Sequence, residues 1–329
     1  MGKRIGIGLL GLGTVGTGVA NIIQNPEGRH PLVEEIELVR VAVRNINHPR
    51  ATAIPSSLLT QNPLEVVDDP SVEVVVEVMG GIEPARSLIM RAIASGKSVV
   101  TANKAVIARH GEEIAAAANT SGVYVLIEAA VGGGIPIIEP LKQSLGGNRI
   151  NKVSGIINGT TNYILSRIAK EGISYSKALN DAKDLGYAES DSTADVEGFD
   201  AADKIAILSG LAFGGAINRE SIPTEGITNL NSLDVDYANK LGYKIKLLAV
   251  AERLEKSTQN QSSLPLAVWV QPTLIPEEHP LAGVKGVNNA ILVEGDPIGK
   301  VMFYGPGAGA GPTASAVVAD ILNIAGVRV

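Results

Sequence analysis

The 329-residue chain contains no cysteine. That excludes a disulfide framework, a thiolate metal site and any cysteine nucleophile. With the nucleophile go the phosphorylating aldehyde dehydrogenases, which need a thioester. Aromatic residues make up only 3% of the chain, so the core must be built from Val, Ile, Leu and Ala. Histidine, the usual acid/base partner in 2-hydroxy-acid dehydrogenases, occurs four times, and His30, His48, His110 and His279 lie in no motif. Basic charge is short as well. There are 28 Lys and Arg against 34 Asp and Glu, a net charge of −6, which argues against a nucleic-acid partner held through phosphate contacts. No run of about 18 apolar residues reads as a membrane span, so no membrane partner is expected. The N-terminus carries Lys3 and Arg4 before an apolar stretch, as a signal peptide would. That stretch is broken by glycine and leads directly into a glycine motif, so it reads as a strand and the protein as cytoplasmic.

At roughly 150 residues per domain the length suggests two domains. An apolar fraction of 45% and a charged fraction of 19% are those of an ordinary globular protein. Up to residue 130, strands (4–10, 37–43, 72–79, 98–101, 123–128) alternate with helices (13–25, 84–94, 112–120). That alternation means βαβ units and a parallel sheet. The pattern changes at VGGGIP (131–136). Helices are expected near 138–144 and at 161–170, 176–185 and 194–213. Strands near 150–157, 245–254, 266–274, 290–293 and 301–304 suggest a second sheet. GPGAGAGPT (305–313) then opens a last helix, 314–324.

Gly11, Leu12, Gly13, Thr14, Val15 and Gly16 form a G-x-G-x-x-G turn between a strand and a helix. The first glycine permits the tight turn, the second a close approach of pyrophosphate, and the third close helix–strand packing. Unpaired N–H groups at the helix start receive the anion. The second strand ends Val43-Arg44-Asn45, with no acid for an adenosine ribose. Arg44, assisted by Arg50, suits a 2′-phosphate, and NADP is favoured over NAD; otherwise Arg44 is a solvated loop residue. EAAVGGGIP (128–136) offers one carboxylate and flexible backbone, which suits either a hard cation or a hinge. Lys104, after the 98–101 strand, falls where strand ends line a ligand crevice, unless it is an ordinary surface lysine. Residues 186–204, GYAESDSTADVEGFDAADK, hold Glu189, Asp191, Asp195, Glu197 and Asp200. Asp200 and Lys204 lie at i, i+4 on one helix face, as a structural ion pair or as an acid/base group.

With these residues in place, the chain resembles homoserine dehydrogenases along nearly its whole length. The segments that carry the likeness are GLGTVG, EVMGGIEPA (77–85), VTANKAVIA (100–108), EAAVGGGIPII (128–138), NGTTNYIL (158–165), the acid-rich block and GPGAGAGPTASAV (305–317). Ser192 stands where the family usually has proline, and Asp203 precedes Lys204 where a basic or neutral residue is commoner. The resemblance implies NAD(P)-dependent interconversion of L-aspartate 4-semialdehyde and L-homoserine, on the route to threonine, methionine and isoleucine. It implies an α/β fold: a discontinuous Rossmann-type cofactor domain (1–130 with 305–329) and an α+β catalytic and dimerisation domain (131–304), in a homodimer. Lys204 then matches the proton donor or shuttle and Asp200 a substrate ligand. Glu189 and Asp195 match acids around the substrate amino group, Lys104 a lysine at substrate and nicotinamide, and Gly159 and Thr160 a substrate-side backbone segment. Glu128, Val131, Gly133 and Ile135 match a structural sodium site, the last three through carbonyls, and Gly186 and Gly309 match cofactor- or ion-side glycines. The family's regulatory domain follows the last helix, so no threonine feedback site is expected within these residues. Other lysine-dependent two-domain oxidoreductases would share the N-terminal half but not the acid block, and a non-catalytic NADP sensor would not need Lys104, Asp200 and Lys204 together.

Overall fold

Strands that are apolar on both faces must be covered on both faces, and the first part of the chain meets that requirement with helices. The structure, a computed structural model, describes residues 4–49, 52–215, 217–254 and 265–327. Strands β1 (Ile5–Leu10), β2 (Ile36–Ala42), β3 (Leu59–Thr60), β4 (Val74–Glu77), β5 (Ser98–Thr101) and β6 (Val125–Leu126) form a parallel sheet in the order β3-β2-β1-β4-β5-β6. This is the dinucleotide-binding order, whose switch point lies between β1 and β4. The strand alternation sorts the core. Ile7, Leu9, Val74, Val76 and Val100 face α1 (Thr14–Gln24) and the helix Ala310–Val327. Val75 and Val99 face α2 (Pro63–Val67), α3 (Ala85–Ala94) and α4 (Lys104–Ser121). Helix α4 starts eight residues before the expected position, because Asn103 caps it by accepting from the Val106 amide at 3.3 Å.

The chain divides into two compact units, Met1–Gly134 with Ala308–Val329 and Ile135–Gly307. The second is built on an antiparallel sheet, β11-β10-β7-β8-β9, from β7 (Arg149–Ile156), β8 (Tyr243–Arg253), β9 (Leu266–Pro276), β10 (Asn288–Asp296) and β11 (Gly299–Pro306). Its helices are α5 (Gly159–Glu171), α6 (Tyr175–Asp184), α7 (Thr193–Val196), α8 (Phe199–Phe213) and α9 (Ser232–Lys240). α10 is the helix Ala310–Val327 of the first unit. It is long and apolar enough to cross a membrane by length and composition, which the expectation of no apolar run of that length overlooked. Its face of Ala314, Val317, Ile321 and Ile324 lies in the core against α1. The helix expected over 194–213 is two helices, because Gly198 between them takes a left-handed φ of 82°. The segment near 138–144 is a single π turn, Pro140–Ser144. Helix α9 escaped the periodicity reading, although Asn231 and Asp234 form a capping box at its start.

One buried polar group stands out in the second unit. Lys246 on β8 is 5% exposed, and its Nζ donates to Asn162 Oδ1 at 2.9 Å and to the Val284 carbonyl at 2.5 Å. Burial, and to a lesser extent the positive charges of Lys285 and Lys244, pushes its pKa from the ordinary 10.5 down to about 8. Between these values the unfolded chain binds more protons at this site than the folded one, so raising the pH favours the fold. Relative to Lys246→Met, wild-type stability is therefore expected to rise between pH 8 and 10.5 by roughly 3 kcal/mol, and to hold a constant offset below pH 8. Urea unfolding of both proteins across this range checks it; a difference independent of pH would contradict the shift.

Candidate active site

The turn after β1 has the geometry its glycines require. Gly11 has φ of 101° and donates its amide to the Ala42 carbonyl at 3.0 Å. A Cβ on Gly16 would lie 2.1 Å from the Gly11 carbonyl oxygen, so only glycine lets α1 approach the strand this closely. Gly13 caps α1 without a side chain, and a Cβ there would meet nothing within 4 Å. The first turn of α1, Thr14, Val15 and Gly16, carries no acid and no side-chain cap, which keeps its amides available to an anion. The residues present therefore fit a dinucleotide pyrophosphate. Arg44, just past β2, is exposed, and its carbonyl accepts from Gln61 Nε2 at 2.9 Å. Arg50 lies outside the described residues.

At the ends of β4 and β5 a buried polar chain positions Lys104. Glu77, fully buried, accepts from Thr101 Oγ1 at 2.7 Å and from the Met79 amide at 2.8 Å. Thr101 Oγ1 in turn accepts from the Asn103 amide at 3.0 Å, and Asn103 Nδ2 donates to the Gly81 carbonyl at 2.7 Å. Lys104, half-buried, is thus the first residue of α4. Gly309, with φ of 117°, precedes α10 in the same unit. Glu128 is 4% exposed, and its amide donates to Oδ2 of the buried Asp320 at 2.8 Å. After Val131 the backbone turns left-handed at Gly132 and Gly133. Ile135 opens the second unit.

In the second unit the i, i+4 pair of α8 forms as its spacing predicted. Lys204 Nζ donates to Asp200 Oδ2 at 2.7 Å and to the Ile157 carbonyl at 2.7 Å. Asp200 is buried, and the Lys204 side chain is only 11% exposed. Asn158, the N-cap of α5, ties this pair to the acid block. Its Nδ2 donates to Asp195 Oδ1 at 2.7 Å and to Asp200 Oδ2 at 3.0 Å, while its Oδ1 accepts from the Thr161 amide at 2.9 Å. Gly159 and Thr160 form the first turn of α5, and Thr160 Oγ1 donates to the Tyr187 carbonyl at 2.7 Å.

The acid-rich block is therefore sorted by partner. Asp195 and Asp200 share Asn158. Asp203 is paired to Arg219 at 2.7 Å. Asp191 is held below the usual carboxyl range by the Thr193 hydroxyl and then by the Thr193 amide, from which it accepts at 3.0 Å. Glu189 is exposed on the connection after α6, as is Gly186, which has φ of 72°. Among the described residues no cluster of three His, Asp or Glu side chains could hold a metal.

A sequence profile described as "Homoserine dehydrogenase" matches residues 136–322, and one described as "Homoserine dehydrogenase, NAD binding domain" matches residues 11–128. The chain is 59% identical over 321 residues to a homoserine dehydrogenase of Synechocystis sp., covering 98% of this chain and 73% of the relative. The chain belongs to the homoserine dehydrogenase family. The crystal structure of a homoserine dehydrogenase from Thiobacillus denitrificans superimposes with a TM-score of 0.89 at 50% identity, over 99% of this chain and 74% of that one. A hyperthermophilic archaeal homoserine dehydrogenase in complex with NADPH does so with a TM-score of 0.77 at 26% identity, over 98% of each chain. As a homoserine dehydrogenase it is an NAD(P)-dependent oxidoreductase acting on a small-molecule substrate.

The family motifs do not single out Asn158, although Asn before Gly159-Thr160 is a helix N-cap signal, nor Glu77, Thr101 and Asn103. Replacing Asn158 with alanine removes both the cap and the amide between the two carboxylates. A loss of about 1–2 kcal/mol in unfolding free energy is expected. Homoserine turnover should fall together with it, with NADP affinity kept. Turnover equal to wild type in a stable Asn158→Ala protein would show the amide to be a cap alone.

Proposed function

We propose that Lys204 is the proton donor in the reduction of L-aspartate 4-semialdehyde to L-homoserine, with Asp200 as its substrate-side partner. The observation that carries this reading is the disposition of the ammonium. Asp200 and the Ile157 carbonyl engage two of its three N–H bonds, which leaves one for a substrate oxygen. NAD(P)H, when bound, supplies the hydride. As the carbonyl carbon accepts it, negative charge gathers on the oxygen. Lys204 stabilises that charge and transfers its proton to give the hydroxyl, and solvent then reprotonates the amine. Asp200, Asp195 and Glu189 provide carboxylates for the substrate ammonium, and Lys104 a cation for its carboxylate or for the nicotinamide side. Gly159 and Thr160 present backbone to the substrate.

For the cofactor, Gly11, Gly13, Thr14, Val15 and Gly16 hold the pyrophosphate, Gly186 and Gly309 lie on the cofactor or ion side, and Arg44 reads the 2′-phosphate, so that NADP is preferred. The absence of an acid at the end of β2 supports that preference. A structural sodium ion is held by Glu128 and the carbonyls of Val131, Gly133 and Ile135. A buried carboxylate followed by left-handed glycine backbone offers the oxygen donors that a hard cation takes. The domain of residues 131–304 carries the substrate chemistry and the dimer contact, and the homodimer works in the cytoplasm.

Two substitutions test the reading. A general acid contributes about 10² to 10⁴ in rate, so Lys204→Ala is expected to keep its fold and NADP affinity while kcat falls at least about a hundredfold. A kcat within a few-fold of wild type would remove Lys204 from the mechanism and leave Lys104 as the candidate. Arg44→Ala is expected to weaken NADP binding roughly ten- to hundredfold, the worth of a charge-assisted contact of about 1.5–3 kcal/mol, and NAD binding far less. Equal losses for both cofactors, measured by fluorescence titration, would assign Arg44 to the loop rather than to the phosphate.

A further inference from the structure

The reacting pair is anchored through the first turn of α5, and that turn is held from behind by two groups to which the reaction gives no task. Asn162, one turn after Asn158, is 2% exposed. Its Nδ2 faces three carbonyls of the segment that enters β10: Gly286 at 3.0 Å, Asn288 at 3.1 Å and Val284 at 3.4 Å. Its Oδ1 accepts from Lys246 Nζ, which also donates to the Val284 carbonyl. The segment 284–288 in turn lies directly on α5. A Cβ on Gly159 would come within 2.7 Å of the Val287 carbonyl oxygen.

We propose that Lys246, acting through Asn162, is a positioning residue that locks residues 284–288 beneath the α5 N-terminus and so fixes Asn158, Asp200 and Lys204. The chemistry of the two side chains explains why a lysine is used in an apolar interior. A carboxamide can present either its oxygen or its nitrogen to a neighbour. Only the orientation seen here gives the three backbone carbonyls a donor. Lysine has donors and no acceptor, so it accepts no other orientation of Asn162. An apolar residue at 246 leaves the amide free to turn and the carbonyls without a donor. The segment then shifts, and Gly159, in contact with Val287, shifts with it. Asn158 follows as the next residue, and it carries the amide shared by Asp195 and Asp200. The link from Lys246 to Lys204 thus runs entirely through the second unit, and neither Lys246 nor Asn162 has a place in the chemistry itself.

The test uses the full chain with Lys246→Met and Asn162→Ala, singly and together. It measures kcat and KM for homoserine, NADP affinity and the thermal midpoint. A misplacement of about 1 Å can cost 10²-fold in rate. Each single substitution is therefore expected to lower kcat at least about tenfold while the NADP Kd stays within twofold. The double variant should be no slower than the slower single one, because both remove the same lock. Lys97→Met serves as the control for destabilisation alone. Lys97 is a buried lysine of the first unit, bonded to the carbonyls of Asp69 and Val72, and its loss should lower the thermal midpoint and leave kcat unchanged. A folded Lys246→Met or Asn162→Ala protein with kcat within threefold of wild type overturns the proposal. So do multiplicative effects in the double variant, a kcat loss matched by Lys97→Met, and failure of both single variants to fold, which would make the lock a folding element. The inference rests on Asp200 and Lys204 as the reacting pair. Wild-type turnover in Lys204→Ala would break that reading, whereas an inactive Lys204→Ala beside a fully active Lys246→Met breaks only the lock.

Discussion

Two carboxylates of the second unit, Asp195 and Asp200, stand within 3.0 Å of one amide nitrogen. Like charges at such separation in a poorly solvated place repel strongly, and the arrangement holds only because donors surround it. Asn158 supplies the shared N–H bonds and Lys204 the balancing charge, at 2.7 Å from Asp200. The strand–helix junction after β7 follows from this need. Asn is used at the cap because its oxygen closes α5 onto Thr161 while its nitrogen remains for the acids. Serine or threonine would cap the helix as well but could not do both with separate atoms. The N-cap is therefore a structural and an electrostatic element at once, and the acid-rich segment folds against α5 with two of its carboxylates on one amide.

The first unit solves a different problem by the same economy of atoms. Its sheet needs helices pressed tightly on both faces, and the turn after β1 also leaves the first amides of α1 without a side-chain cap. Gly16 and Gly18 serve the packing: added Cβ atoms would lie 2.1 Å from the Gly11 carbonyl and 2.7 Å from the Ala314 methyl. Gly13 leaves room beside the helix start, since its missing Cβ opens onto free space. Alanine-rich α10 is pressed against α1 for the same reason, and this explains why a helix so apolar belongs to the core.

What was legible in the sequence was what depends on neighbours a few residues away. The βαβ alternation, the glycine turn and the i, i+4 spacing of Asp200 and Lys204 are local patterns, and each appears in the fold. Helix ends set by a cap, such as the start of α4 at Asn103, hang on a single residue and do not show in apolar periodicity. The break between α7 and α8 was hidden because a glycine inside a helical pattern does not announce the left-handed φ that Gly198 adopts, nor that an added Cβ would press on Thr224 and Val270. The division of labour within the acid block was hidden too. Asp203 looks no different from Asp200 until Arg219, sixteen positions away, takes it. Asn162 and Lys246 are 84 positions apart, and no local pattern could have joined them.

Among the described residues, Lys97, Lys204 and Lys246 lie deep in the fold, and their partners separate them. Lys97 and Lys246 are bonded to backbone carbonyls, with an amide oxygen added for Lys246, and burial lowers the pKa of both. Neutral acceptors orient an amine without fully offsetting the cost of burying its charge, so these two are suited to bracing backbone. Lys204 alone of the three has a bonded carboxylate. A carboxylate partner at 2.7 Å offsets part of the cost of burying a charged side chain. The reaction chemistry proposed for Lys204 and the bracing proposed for Lys246 thus rest on the same rule, that its partners define a buried lysine, applied to side chains that the sequence writes with the same letter.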